Sequence, residues 1–273
     1  MDNSETAYYL YCLTPCGRRI KTSAIGVDGQ HPVFVGACGE IGAVLSEVGR
    51  GEFCDDAAEA HLQDLAWLGP RVCRHEAAIE EVMRQTPVLP ARFATMFTSI
   101  DSLKQSVLER LEAITGFFAQ LGDKQEWAVK GMLNRTGALE RLGSSGQPAR
   151  EERALVNSPG ARYFQEKRIK ARLQRDFNFH LKEFCGRAAA ALGANTGSFR
   201  ERKVPAPVTA GTDADAEVVL NWAFLFSPAD LDEFRGRLER LNGAEAFPGL
   251  MLTLTGPLPP YSFVSDLSFS AQA

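Results

Sequence analysis

The chain has 273 residues, 45% of them hydrophobic and 23% charged, and carries a formal net charge of −4. That length suits one large domain or two modest ones, with enough interior to fold without disulfides or a structural metal. The weak acidic balance gives no global attraction to nucleic acid or an anionic membrane. No apolar run reaches the ~18 residues of a transmembrane helix, and "MDNSETAYYLYCL" lacks the basic and apolar regions of a signal peptide. A cytoplasmic protein is the expectation.

The opening run "AYYLYCL" reads as a strand and "TPCGRR" as a turn. "PVFVGA" and "IGAVLSEV" read as two strands of a hairpin around Cys38-Gly39-Glu40. Asp55 and Asp56 can cap a helix from about Ala57, with Ala58, Leu62, Leu65 and Leu68 at helical spacing. Gly69-Pro70 should break it. A second helix is expected from Arg71 to Gln85, with Val72, Ile79, Val82 and Met83 inward, ended by Thr86-Pro87. "VLPARFATMF" reads as extended. Ser99 then starts a single long helix whose stripe is Ile100, Leu103, Val107, Leu111, Ile114, Phe118 and Leu121, with Gly122 at its end.

The second half has another rhythm. "KQEWAVKGML" alternates as a strand, with Trp127 and Val129 on one side and Lys130 on the other. The polar stretch from Asn134 to Asn157 reads as a loop. Ser158-Pro159 caps a long helix with the inner stripe Ile169, Leu173, Phe177, Leu181, Phe184 and Ala188, stopped by Gly193. "SFRERKV" is a short strand and Glu217 to Phe226 a long central one. Ser227-Pro228-Ala229-Asp230 caps a further helix lined by Leu231, Phe234, Leu238 and Leu241, and "LMLTLTG" is the last strand. Gly256, Pro257, Pro259 and Pro260 should end that strand, because proline fixes φ and removes a donor. The order strand, helix, strand, strand, helix, strand is ferredoxin-like. The expected fold class is therefore α+β in two domains: an N-terminal α+β unit over residues 1–122, and a ferredoxin-like domain over 123–273 that keeps the Pro-rich aromatic tail.

Reaction machinery is scarce. The chain has no GxxxxGK[ST] loop, no GxGxxG after a strand and no GxSxG elbow. His75-Glu76 is not HExxH, and His75 is expected as a partly exposed helix residue. Cys12, Cys16, Cys38, Cys54, Cys73 and Cys185 form no CxxC pair, and the histidines His31, His61, His75 and His180 are scattered. Cys73 and His75 could share a metal, but nothing near them completes a set of four ligands. Reduced structural thiols, no metal and no cofactor are the expectation. The cations Arg162, Lys167, Arg168, Lys170, Arg172 and Arg175 read as a solvated helix face with pairs to Glu166 and Asp176. "VLNWAFLF" lacks the basic glycine-aromatic motif of an RNA-recognition sheet.

Four segments carry one resemblance. "VCRHEAAIEEVMRQTPVLPARFATMF", Val72 to Phe97, resembles the helix and "VLPxRFGTxF" element of the gas-vesicle proteins GvpF and GvpL. "SPGARYFQEKR" is similar to that family's "GxAYLxxK" helix start, "LTGPLPPYSFV" to its terminal "GPWPPYSF", and "YYLYCL" to its N-terminal "YLYGI". They occur in the family's order over nearly the whole chain. Leu258 stands for the usual tryptophan, Ala94 for the glycine after "RF", Cys12 for the strand glycine and Phe164 for leucine.

The resemblance implies a non-enzymatic minor shell-associated component or assembly factor of gas vesicles. Its implied partners are the small hydrophobic shell protein GvpA and other accessory Gvp proteins, with no nucleic acid and no membrane. Arg92, Phe93, Tyr163, Tyr261 and Phe263 are the candidate junction or partner-binding residues. Tyr261 and Phe263 are expected to fold the tail back over the domain junction, and Arg92 to pair with a buried acid there. The rival readings are a ferredoxin-like small-ligand sensor or regulatory module, which needs a pocket with convergent polar groups, and an enzyme with clustered, perturbed titratable groups.

Overall fold

A computed structural model describes residues 6–17, 19–50, 63–145, 159–194, 196–204, 216–264 and 269. The chain forms two compact units, Met1–Glu126 with Pro257–Ala273, and Trp127–Gly256. The tail assigned from sequence to the second domain therefore belongs to the first unit. Its side chains explain why: Tyr261 hydrogen-bonds to His75 and Glu76, and Ser262 to Glu126. The helix start at Asp55, Asp56 and Ala57, with Cys54 and His61, lies outside the described residues, as does the Ser158 cap.

The first unit is built on β1 (Thr6–Pro15), β2 (Phe34–Cys38) and β3 (Ile41–Gly49). Next come helix α1 (Leu65–Met83), the short strands β4 (Leu89–Pro90) and β5 (Met96–Phe97), and helices α2 (Ile100–Leu108) and α3 (Leu111–Leu121). The sheet order is β2-β3-β1-β4, with β5 also on β1. The expected hairpin is present, Cys38 pairing with Ile41 across Gly39, whose φ of 68° suits the turn. A bulge in β1 slips the register between Leu10 and Cys12. It changes the parity of the strand, so Tyr9, Tyr11 and Cys12 all join one buried cluster with Ala78, Ile79 and Val82 of α1.

Three expectations change in this unit. Helix α1 runs through Gly69-Pro70. Asp64 caps it, its Oδ1 accepting from the Ala66 N–H at 2.9 Å, so Pro70 falls in the second turn and forfeits one backbone bond. The buried line His75, Ala78, Ile79 and Val82 outweighs that loss, whereas Leu65, expected inside, is 80% exposed. The single helix after Ser99 is two. Ser99 and Ser102 form the capping box of α2, but at its end the Arg110 side chain takes the Ser106 carbonyl at 3.0 Å while the Arg110 N–H turns to Val107. The chain tightens there, and α3 buries Phe117 rather than Phe118, with Ile114 and Leu121. "VLPARFATMF" is two short strands with a turn between them, not one extended run.

The second unit contains β6 (Gln125–Asn134), α4 (Arg135–Ser145), α5 (Pro159–Gly193), β7 (Ser198–Glu201), β8 (Ala216–Phe226), α6 (Leu231–Asn242) and β9 (Leu250–Leu258). The sheet order is β7-β8-β6-β9. Alternate residues of the strands, Trp127, Val129 and Leu133, then Leu220, Trp222, Phe224 and Phe226, then Leu250 and Leu252, face one core. Phe177, Leu181, Phe184 and Ala188 of α5 and Phe234, Leu238 and Leu241 of α6 close it. Gly131 occupies the slot where any Cβ would lie 2.6 Å from Leu220 Cγ. Buried Arg237 donates to the Ala191 and Ala194 carbonyls at the end of α5, meeting both their hydrogen-bond need and the negative helix terminus.

Two further expectations change here. The stretch read as a polar loop from Asn134 begins with helix α4, capped by Asn134 Oδ1 accepting from Gly137 N at 2.7 Å and anchored by buried Ala138. Strand β9 continues past Gly256 and through Pro257 to Leu258. It is an edge strand of this sheet, where proline is tolerated, and Pro257 is the next-to-last residue of the strand. No helix among the described residues is long and apolar enough to cross a membrane.

Candidate functional site

The centre of the first unit is a polar thread in an apolar core. His75 occupies an inward slot of α1, one turn before Ala78 and Ile79, and is 1% exposed. It is neither the partly exposed residue expected nor half of a metal pair, since Cys73 on the same helix is exposed. Tyr11 stacks on the imidazole at 5.7 Å, and Tyr9 and Phe93 meet it edge-on. Desolvation lowers the His75 pKa to about 4, so the ring is neutral.

The hydrogen bonds fix its tautomer. Tyr261 Oη donates to Glu76 Oε1 at 3.0 Å, and its only proton is thereby used. At 3.0 Å from His75 Nε2 it must therefore accept, which places the imidazole proton on Nε2. His75 Nδ1 is then an acceptor for Tyr9 Oη at 3.1 Å, and Tyr9 Oη accepts in turn from the Ala94 N–H at 2.9 Å. The thread runs in one direction, from Ala94 through Tyr9, His75 and Tyr261 to the Glu76 carboxylate. Burial raises the Glu76 pKa, opposed by the Tyr261 hydrogen bond. Burial, with the Glu76 charge, pushes the Tyr261 hydroxyl far up. The thread holds the tail to α1 and positions the turn at Ala94.

The tail has two more anchors. Glu126, 1% exposed, accepts from the Ser262 N–H at 3.0 Å and from Ser262 Oγ at 2.7 Å. Phe269 is buried edge-on against Phe97, with the Arg110 guanidinium 5.6 Å from its ring centre. Beside the tail lies an open groove of about 240 Å³, lined by Met83, Val88, Leu121 and Leu258 and by charges of both signs, Arg84 and Lys124 with Asp123 and Glu126.

The sequence-predicted residues divide. Phe93 is half-buried in the His75 cluster, and Tyr261 is a member of the thread. Phe263 is half-buried in the short turn after β9. Arg92 is exposed and makes no ion pair with an acid among the described residues, so the expected buried partner is absent there. The bends at Arg92–Ala94 turn that side chain outward, and its carbonyl accepts from Thr95 Oγ1 and the Thr95 N–H. Tyr163 is 61% exposed on α5, beside Phe164 and far along the helix from the rings that enter the core. Sequence reasoning missed His75, Glu76, Glu126 and Ser262. The usable signal was His75 falling in phase with Ile79 and Val82 on the inner face of its helix. Among the described residues no three His, Cys, Asp or Glu side chains converge as a metal set.

The family model for the gas vesicle synthesis protein GvpL/GvpF matches residues 7–265. The chain belongs to the GvpL/GvpF family. Among its relatives, "Gas vesicle protein L" of Streptomyces sp. (strain CB03234) is 27% identical over 96% of this chain and 94% of its own. "Gas vesicle protein L1" of Halobacterium salinarum is 24% identical over 95% and 90%. The crystal structure of GvpF from Anabaena sp. PCC7120 has a similar fold, with a TM-score of 0.72 at 16% identity, covering 95% of this chain and 98% of that one. GvpF from Microcystis aeruginosa gives 0.64 at 18% identity. Within this GvpL/GvpF chain, Ala94 is the non-glycine residue at positive φ among the described residues, at 63°, where the family pattern noted above has glycine.

Proposed function

We propose that this GvpL/GvpF protein is a gas-vesicle accessory factor, a minor shell-associated or assembly component that binds the hydrophobic shell protein GvpA during vesicle formation. The match over residues 7–265 carries the reading. A gas-filled shell needs subunits with a water-repelling face, which is an aggregation hazard before assembly and gains from a partner that covers it. This chain offers exposed apolar side chains away from its core, including Met251 on edge strand β9 and Tyr163 on α5. The strand order of the second unit supports reading it as a ferredoxin-like module. Its role in this reading is binding, at the vesicle or in the surrounding cytoplasm, rather than catalysis.

Flotation tests the proposal. The tagged protein, expressed with its gas-vesicle gene set, should be enriched in washed floating vesicles, or be required for their formation while staying soluble and retaining purified GvpA. Absence from the float together with normal vesicles in a deletion strain and no GvpA retention would sink it. The groove, which carries Asp123 and Glu126 beside Arg84 and Lys124, supports one alternative, a regulatory module for a small polar ligand. A thermal shift with small carboxylates and phosphates, lost in Lys124→Ala, would support that reading.

A further inference from the structure

Helix α5 has a second organised face. Its core side is Phe177, Leu181, Phe184 and Ala188. At 100° per residue, the line Phe164, Arg168, Ala171, Arg175, Phe179 and Lys182 falls on the far side of the helix. All six are exposed, the two phenylalanines at 67% and 60%. The steps of three and four residues keep the line straight for roughly 27 Å. From Tyr163 to Asp176 the helix has no buried residue, so packing among the described residues does not account for the aromatic residues there.

The charges on the line are of one sign. Arg168, Arg175 and Lys182 make no ion pair among the described residues. The nearby acids Glu166, Asp176 and Glu183 lie about 80° or more from the centre of the line. Two of them are already engaged, Asp176 with Arg172 at 3.8 Å and Glu183 with His180 at 3.4 Å. Gly186 extends the line, and a Cβ built on it would meet nothing within 4 Å. An exposed stripe of aromatics and unpaired cations, with small residues at Ala171 and Gly186, has the form of one half of a helix–helix contact.

We propose that this face docks an acidic amphipathic helix of a partner protein. The charge of the line selects carboxylates flanking the partner's apolar residues. Its straightness over five turns selects a rod, since a convex surface would not reach Phe164 and Phe179 together. Two copies of the same face would repel each other. The proposal stands on the helix face and does not depend on the shell protein being a partner.

The test uses the full chain and a labelled 21-residue peptide with Leu at heptad positions a and d and Glu at e and g, beside its Lys-for-Glu counterpart. Fluorescence anisotropy should show micromolar binding of the Glu peptide, weakened about tenfold between roughly 50 and 300 mM salt. Phe164→Ser with Phe179→Ser should weaken it about tenfold at unchanged Tm, because both rings are already in water. No binding at roughly 100 μM, equal binding of the Lys peptide, or tighter binding of phosphatidylserine vesicles or a single-stranded oligonucleotide would overturn the proposal. GvpA retention on the same double variant reads the shell contact separately, so the two ideas fail independently.

Discussion

His75 shows how one side chain can make stability depend on pH. Its pKa is about 4 in the fold against the ordinary 6.5 of a hydrated imidazole, so the fold holds the neutral form. The corresponding stability is complete above pH 6.5 and is lost as the pH falls toward 4, to a limit of roughly 3 kcal/mol. Glu76 works the other way: its raised pKa means that protonation at low pH relieves a cost, which offsets part of the loss. His75→Gln should be less stable at pH 7.5, by about 1–2 kcal/mol, because the Tyr9–Tyr261 thread is interrupted. It should also flatten the profile between pH 6.5 and 5. Urea melts across that range check this, and an unchanged slope would remove His75 as the source. Ala94 offers a gain instead. Its φ of 63° strains an L-residue, while its N–H is held by Tyr9. Ala94→Gly should raise stability by about 0.5–1 kcal/mol, the relief of left-handed strain less the greater freedom of glycine in the unfolded chain. A lower Tm in that variant would show that the Ala94 methyl packs usefully.

Elements were legible wherever a periodic pattern and its punctuation agreed. The β2–β3 hairpin, strands β6 and β8, the Ser99 start and the Gly193 and Asn242-Gly243 stops follow from local chemistry. Three of the misses share a cause: long-range contacts outvoted local signals. Gly69-Pro70 did not break α1 because the line behind it is buried against β1. Pro257 did not end β9 because the strand lies at an edge. His75 looked like a surface residue because its partners, Tyr9 and Tyr261, are 66 and 186 residues away. The edge of β9 is also guarded. Asn242 accepts from the Leu252 N–H at 2.9 Å and donates to the Leu252 carbonyl at 2.8 Å, imitating a paired strand. Asn242→Ala should cost about 1–2 kcal/mol and expose the edge, giving concentration-dependent light scattering. Truncation after Gly256 should cost more, at least about 3 kcal/mol, because it removes Tyr261, Ser262, Phe263 and Phe269 together. An unchanged Tm would reduce the tail to a passive appendage.

At the scale of the whole molecule, a net charge of −4 conceals a division. The first unit, with 11 basic and 19 acidic residues, carries −8, while the second, with 19 and 15, carries +4. The composition of the full chain could not reveal this, because the opposite charges cancel in the total. It gives the two proposed contacts different signatures. Burial of apolar shell surface is insensitive to salt or strengthened by it, since it depends on water being released from apolar area. Docking on the cationic line of α5 depends on charges that are screened once the Debye length falls from about 10 Å at 0.1 M to 3 Å at 1 M. Protein held on floated vesicles through GvpA should therefore survive a wash in 1 M NaCl and be released by mild detergent. Acidic helical partners bound along Phe164–Lys182 should leave in the salt wash. Quantifying the protein and its co-floating partners in successive salt and detergent washes separates these cases. Release of the protein itself by salt alone would mean that the cationic face of α5, rather than an apolar shell contact, holds it to the vesicle.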